Sequence, residues 1–125
     1  FAALTLGSFQ KLTLDFDSEP LTLHGQRPDG TLVAIAGLSD GSRDQLYLAL
    51  RLAALELHLD QGQGQPLPFI ADDLFINYDD RRSRAGLEAL AFLSEKTQVI
   101  FLSHHDHLLP TVRQVFGPQV NVINL

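Results

Sequence analysis

Apolar and polar residues alternate along the first third of the chain. Ala3–Leu6, Lys11–Phe16 and Leu21–His24 each repeat with a period near two, which predicts half-buried strands. Gly7-Ser8 and Asp17-Ser18-Glu19-Pro20 punctuate them as turns, and Gln26–Gly30 reads as a further reversal into Thr31–Ile35. Residues 1–36 are therefore expected to form a small antiparallel sheet.

After Gly37 the pattern changes. Ser42–Leu59 contains no Gly or Pro and is rich in Leu and Ala, which predicts a helix. Its apolar residues, from Leu46 to Leu57, cover nearly every face, so the helix is expected to be buried in a larger assembly. Gln61–Pro66 reads as a flexible loop. Pro68–Ala71 is a short apolar run that stops at Asp72-Asp73, as a buried parallel strand would. Asp79 or Asp80 is placed to cap a helix running to about Glu95, with Leu87, Leu90, Ala91 and Leu93 turned inward. Val99–Leu102 repeats the buried-strand pattern and ends in Ser103-His104-His105-Asp106-His107. A short helix through Leu108–Phe116 and a last strand at Val120–Leu125 complete the reading. The expected fold is α/β: parallel strands with helices on their faces, preceded by an antiparallel flap, in a single domain without repeats.

Composition narrows the function. The 125 residues carry 15 Asp+Glu against 9 Lys+Arg, a net charge of −6, and that length suits one domain. The pI near 5.1 argues against a surface that coats nucleic acid. Arg81, Arg82 and Arg84 form the only basic cluster, and they follow Asp79-Asp80, so they read as a solvated, locally neutralised helix start. The absence of Cys excludes disulfides and cysteine-ligated zinc. No apolar run reaches the roughly 18 residues of a membrane span. The chain has no Met and starts at Phe1, a residue too large for the usual removal of an initiator Met, so it is expected to be a fragment.

Two constellations carry candidate chemistry. Ligands of parallel α/β sheets bind beyond the carboxyl ends of the strands, where Asp72-Asp73 and Ser103-His104 both fall. One carboxylate of such a pair can hold Mg²⁺ while the other polarises an attacking water; the plainer reading is that the two acids cap a turn. Leu38-Ser39-Asp40-Gly41-Ser42 directly precedes the long helix, where unpaired N–H groups favour phosphate. The plainer reading there is an ordinary N-cap.

In order along the chain, Leu38–Ser42, the long helix, Phe69–Asp73, Asn77-Tyr78-Asp79 and the strand ending in Ser103-His104 closely resemble the C-terminal lobe of an ABC-type ATPase head. The resemblance is to the coiled-coil chromosome and repair ATPases of the SMC, RecN and RecF types. Arg43–Ala53 resembles their large YhaN-like branch. It implies a P-loop NTPase-like fold, ATP and Mg²⁺ as cofactors, and ATP hydrolysis coupled to dimerisation of two heads in DNA repair or chromosome maintenance. Leu38–Ser42 would stand for the LSGGQ-like signature, reaching across the dimer to the γ-phosphate through the Ser39 hydroxyl and the backbone around Gly41 and Ser42. Asp40 replaces the usual glycine. Asp72 would be the Walker B residue for Mg²⁺, and Asp73 would replace the catalytic Glu, one methylene shorter. Asn77 and Asp79 would form the D-loop, and His104 the switch histidine. His105 and His107 have no role by this resemblance.

No G-x-x-x-x-G-K-[ST] occurs, and Lys11 and Lys96 are the only lysines. The resemblance accordingly implies, as partners, a Walker A lobe of the same protein beyond a coiled coil, a second head, DNA and a nuclease subunit for the whole protein, and a cytoplasmic, nucleoid-associated setting. This stretch alone is expected to be inactive. Two other readings stand beside it. Asp72, Asp73 and the His104–His107 cluster could form a metal-dependent hydrolase site. Asp73 and Asp40 also suit a non-catalytic dimerisation lobe.

Overall fold

In the computed structural model, which describes residues 1–62 and 66–124, the chain divides into two compact units, Phe1–Leu55 and Glu56–Leu125. Part of the predicted Gln61–Pro66 loop, and the end of the predicted last strand at Leu125, lie outside the described residues.

In the first unit, β1 (Lys11–Asp15), β2 (Thr22–Gln26) and β3 (Leu32–Ala34) pair antiparallel in that order. Their register sets Thr13 opposite His24 and His24 opposite Ala34. Alternation gives the sheet one apolar face, and Leu12, Leu23 and Val33 pack from it onto a buried cluster of Phe9, Leu38 and Leu46. Helix α1 (Asp40–Asp60) supplies Leu46 to that cluster. Gln45, fully buried beside it, donates from its side-chain amide to the Leu4 carbonyl. Helix and N-terminal segment are thereby tied together.

The expected strand at Ala3–Leu6 is instead a tight turn. Thr5 N–H donates to Phe1 O at 3.0 Å and Gly7 N–H to Ala2 O at 2.9 Å. The buried Thr5 hydroxyl donates to Phe1 O at 3.1 Å and accepts from Phe9 N–H at 3.4 Å. Local bonds thus occupy the backbone groups a ladder would need, and the alternation there reflects burial of Leu4 within a turn. The strand expected at Thr31–Ile35 is also shorter, since Ile35–Gly37 tightens into a 3-10 turn.

In the second unit β4 (Phe69–Asp72) and β5 (Val99–Leu102) pair in parallel, Phe69 opposite Val99 and Asp72 opposite Leu102. Helix α2 (Asp80–Ser94) connects them, burying Leu87, Leu90 and Leu93 as its periodicity predicts. Helix α3 (Leu109–Phe116) follows a 3-10 turn at Asp106–Leu108, and Arg84 of α2 donates to Gln114 of α3 at 3.0 Å. The strands differ from the buried type expected. Phe69 and Ala71 are buried, whereas Ile70 and Ile100 on the opposite face are 58% and 37% exposed. With two strands, this sheet is covered on one face only. Residues 120–124 form no strand, because neither β4 nor β5 pairs with them among the described residues. No helix among the described residues is long and apolar enough to cross a membrane.

Phe75 closes the covered face. It is 4% exposed and packs against Phe101 at 5.3 Å and Tyr78 at 5.2 Å between ring centroids. Gly86 of α2 admits this ring, since a Cβ there would lie 2.7 Å from Phe75 Cζ. Gly86→Ala is expected to lower stability by about 1–3 kcal/mol, overpacking outweighing the roughly 1 kcal/mol gain in helix propensity. Urea unfolding would check it, with Phe75→Leu in the same chain restoring part of the loss.

Candidate functional site

The site grows from the ends of the two parallel strands. Asp72 closes β4 on the exposed face, in line with Ile70, opposite Leu102 of β5. The next residue leaves that line: Asp73 has φ 45°, the left-handed conformation that residues other than Gly seldom adopt. Its N–H donates to the Leu102 carbonyl at 2.9 Å, so the parallel ladder continues through the bend. Adjacent carboxylates thus diverge.

The bend brings Asp73 to His104. Asp73 Oδ2 lies 2.9 Å from His104 Nδ1, with the carboxylate side chain 29% exposed and the imidazole 70% exposed. Burial pushes the Asp73 carboxyl up, but the hydrogen bond and charge of His104, its amide and the Ser103 hydroxyl together outweigh it and hold the group below the ordinary value of 3.8. An ionised carboxylate only accepts, so Nδ1 of His104 carries the proton. Nε2 is then a lone-pair acceptor in the neutral ring and a donor when the ring is charged. The Ser103 hydroxyl accepts from His105 N–H at 3.1 Å, holding the loop after β5. The His105 ring lies tilted against His104 with centroids 4.0 Å apart, and His107 lies 5.3 Å from His105.

The remaining candidates are placed as follows. Asp79 is the N-cap of α2: its Oδ1 accepts from Arg82 N–H at 2.8 Å, and Arg82 Nε lies 3.7 Å from its Oδ2. Asn77 lies in the exposed turn between β4 and α2. In the other unit Ser39 caps α1, its Oγ accepting from Ser42 N–H at 3.2 Å and donating to Ser42 Oγ at 2.9 Å. Gly41 and Ser42 are buried in the first turn. Asp40 is exposed, 3.6 Å from Arg43, which also donates to the Leu38 carbonyl at 3.3 Å. Ser39 is thus the ordinary N-cap of the plainer reading, and Asp79 caps α2 as the sequence predicts, whichever further role they serve. Asp73 and His104 are brought together; Asp72 faces another way. His105 joins them; the ATPase resemblance gives it no role, whereas the metal-hydrolase reading counts it in the His104–His107 cluster.

His104→Ala is expected to move the Asp73 carboxyl titration upward, by removing the partner that favours the charged form. Because the folded-state value is depressed, the pair stabilises the fold above the ordinary carboxylate range, and that contribution is lost as pH falls through the depressed value. Carboxyl-carbon NMR of both proteins would check it.

No protein-family model matches the chain. The Bacillus subtilis (strain 168) protein YhaN, itself uncharacterised, is 34% identical over 109 residues, which cover 86% of this chain. The chain spans 11% of the length of YhaN. Among solved structures, an SMC ATPase, studied for ATP-driven dimerisation and DNA-stimulated activation, matches with a TM-score of 0.59 and 17% identity. That match covers 89% of this chain and 66% of the solved one. The mixed fold, with a parallel pair and an antiparallel flap, is that of an SMC head. By sequence the chain is a relative of YhaN, and its fold is that of the matching part of an SMC ATPase head.

Proposed function

We propose that this chain completes an ATP-hydrolysing head, supplying the signature, Walker B, D-loop and switch histidine to a protein whose Walker A lobe lies elsewhere. The observation that carries the reading is the 2.9 Å pair of Asp73 and His104 at the ends of neighbouring parallel strands. It joins a candidate base to a candidate phosphate contact where ligands of such sheets bind. The half-exposed β4–β5 face, with Ile70, Ile100 and Leu102, supports a covering lobe, and exposed Tyr47, Leu50 and Leu57 of α1 leave room for further contacts.

Asp72 offers a hard, solvent-accessible carboxylate, a donor that suits Mg²⁺ shared with nucleotide phosphates. When bound, that ion neutralises charge developing on the β- and γ-phosphate oxygens. Asp73 would orient the attacking water and accept its proton. Its depressed pKa makes it a charged but weak base, since proton transfer favours a base with a pKa near the working pH. Its side chain is also a methylene shorter than Glu, and roughly an ångström of displacement is costly in rate. Slow turnover follows from both. His104, oriented through Nδ1, would meet the γ-phosphate through Nε2. Ser39, at the N-terminus of α1, would meet the γ-phosphate of an opposing head, with Gly41 and Ser42 shaping that turn. Asn77 and Asp79 would border the opposing head. DNA repair or chromosome maintenance is the proposed process and the cytoplasm its setting.

In the full-length protein, Asp73→Asn is expected to cut ATP turnover by about 10²-fold or more while leaving nucleotide binding intact. An unchanged steady-state rate would remove Asp73 from the chemistry. Ser39→Arg is expected to abolish ATP-driven dimerisation, measured by light scattering, and to spare nucleotide binding by the monomer; weakened monomer binding would place the signature in cis.

A further inference from the structure

A second imidazole, which the proposed hydrolysis does not use, joins Asp73 and His104 beside the strand ends. One ligand atom each from Asp73, His104 and His105 lie within 4.8 Å of one another. The three residues come from two loops held by backbone bonds: Asp73 N–H to Leu102 O at 2.9 Å, and His105 N–H to Ser103 Oγ at 3.1 Å. A second observation points the same way. Asp73 Oδ1 is buried and takes no well-formed hydrogen bond among the described residues, the His104 amide and Ser103 hydroxyl only polarising the carboxylate, whereas its other oxygen is paired. A buried carboxylate oxygen lacking a donor is costly, and a cation satisfies it.

We propose that Asp73, His104 and His105 form a binding site for a borderline divalent cation of the Zn²⁺ type. Two nitrogens and one carboxylate suit Zn²⁺ and its neighbours, whereas Mg²⁺ and Ca²⁺ prefer oxygen-only sets. The geometry is close to what such an ion needs. Ligands about 2.0–2.1 Å from a tetrahedral ion stand roughly 3.3 Å apart. The Asp73–His104 pair is already at 2.9 Å, and the His104 ring, 70% exposed, has room to turn as His105 closes in. Bound there, the ion would replace the proton that His104 Nδ1 shares with Asp73, leaving its fourth position to water. It would also occupy the two side chains to which hydrolysis is assigned above. The site is therefore inhibitory in the intact head, a consequence that rests on the proposed function, whereas the binding itself does not.

The test is a titration of the full-length protein with Zn²⁺ against a chromophoric chelator, repeated on variants, with ATP turnover followed in parallel. His105→Ala, which lies outside the proposed hydrolytic machinery, is expected to weaken this Zn²⁺ site by at least tenfold and to leave Zn²⁺-free turnover in Mg²⁺ unchanged. His104→Ala should weaken the site similarly, and His107→Ala should not. In the parent protein Zn²⁺ should inhibit, a chelator should restore the rate, and excess Mg²⁺ should not displace the ion. Zn²⁺ affinity unaltered by both His104→Ala and His105→Ala would overturn the site. Zn²⁺ held through these residues without any loss of turnover would overturn the inhibition. A parent protein that hydrolyses no ATP before metal is added would instead remove the proposed function, while the titration still decides the site.

Discussion

The parallel pairing of β4 with β5 is the constraint on which the candidate site depends. Neither Asp73 nor His104 belongs to a strand, yet each is the first or second residue beyond one, so the register of Asp72 against Leu102 fixes where both begin. A slip of one residue would turn alternate side chains to the opposite face and separate the pair. The hydrogen bond from Asp73 N–H to Leu102 O extends the ladder one step past the last strand residue. It supports the left-handed backbone that swings this carboxylate away from Asp72.

Packing behind the strands holds that register. Phe75 fills the covered face with Phe101, and Gly86 admits the Phe75 ring to α2. Asp79 caps the same helix and Lys96, beyond its end, meets Asp60 at 2.9 Å. The segment between the two strands is thus anchored at its turn, its helix and its exit. In the other unit the same economy operates on a smaller scale: Ser39 starts α1, Leu46 joins the sheet core and Gln45 ties down the Leu4 turn. Residues with a proposed role toward nucleotide double as the caps that start helices, because a helix N-terminus needs a side-chain acceptor whether or not a phosphate is present.

Much of this was legible before any coordinates. The helix of 18 residues read at Ser42–Leu59 is seen as Asp40–Asp60, and the Asp79 cap follows from its position before an amphipathic run. The strands at residues 11–15, 69–72 and 99–102 are where alternation and short apolar runs put them. The misreadings share a cause. Ala3–Leu6 alternates, but a hydroxyl and local carbonyls absorb its backbone bonds, and pattern alone does not count bonds. Val120–Asn124 is apolar enough for a strand, but strand formation requires a partner, which is a property of the assembled sheet.

By itself the sequence determined the order of the elements, the two strand ends rich in carboxylate and imidazole, and the resemblance that sequence comparison and fold then bore out. Those features are local or collinear: periodicity, caps and motif order are written along the chain. Tertiary structure alone decided that Asp73 rather than Asp72 turns to His104, that His105 lies beside them, and that one face of the β4–β5 pair stays exposed. The physical reason is that these depend on a left-handed backbone at one residue and on pairing across 31 positions of sequence, neither of which any neighbouring residue dictates.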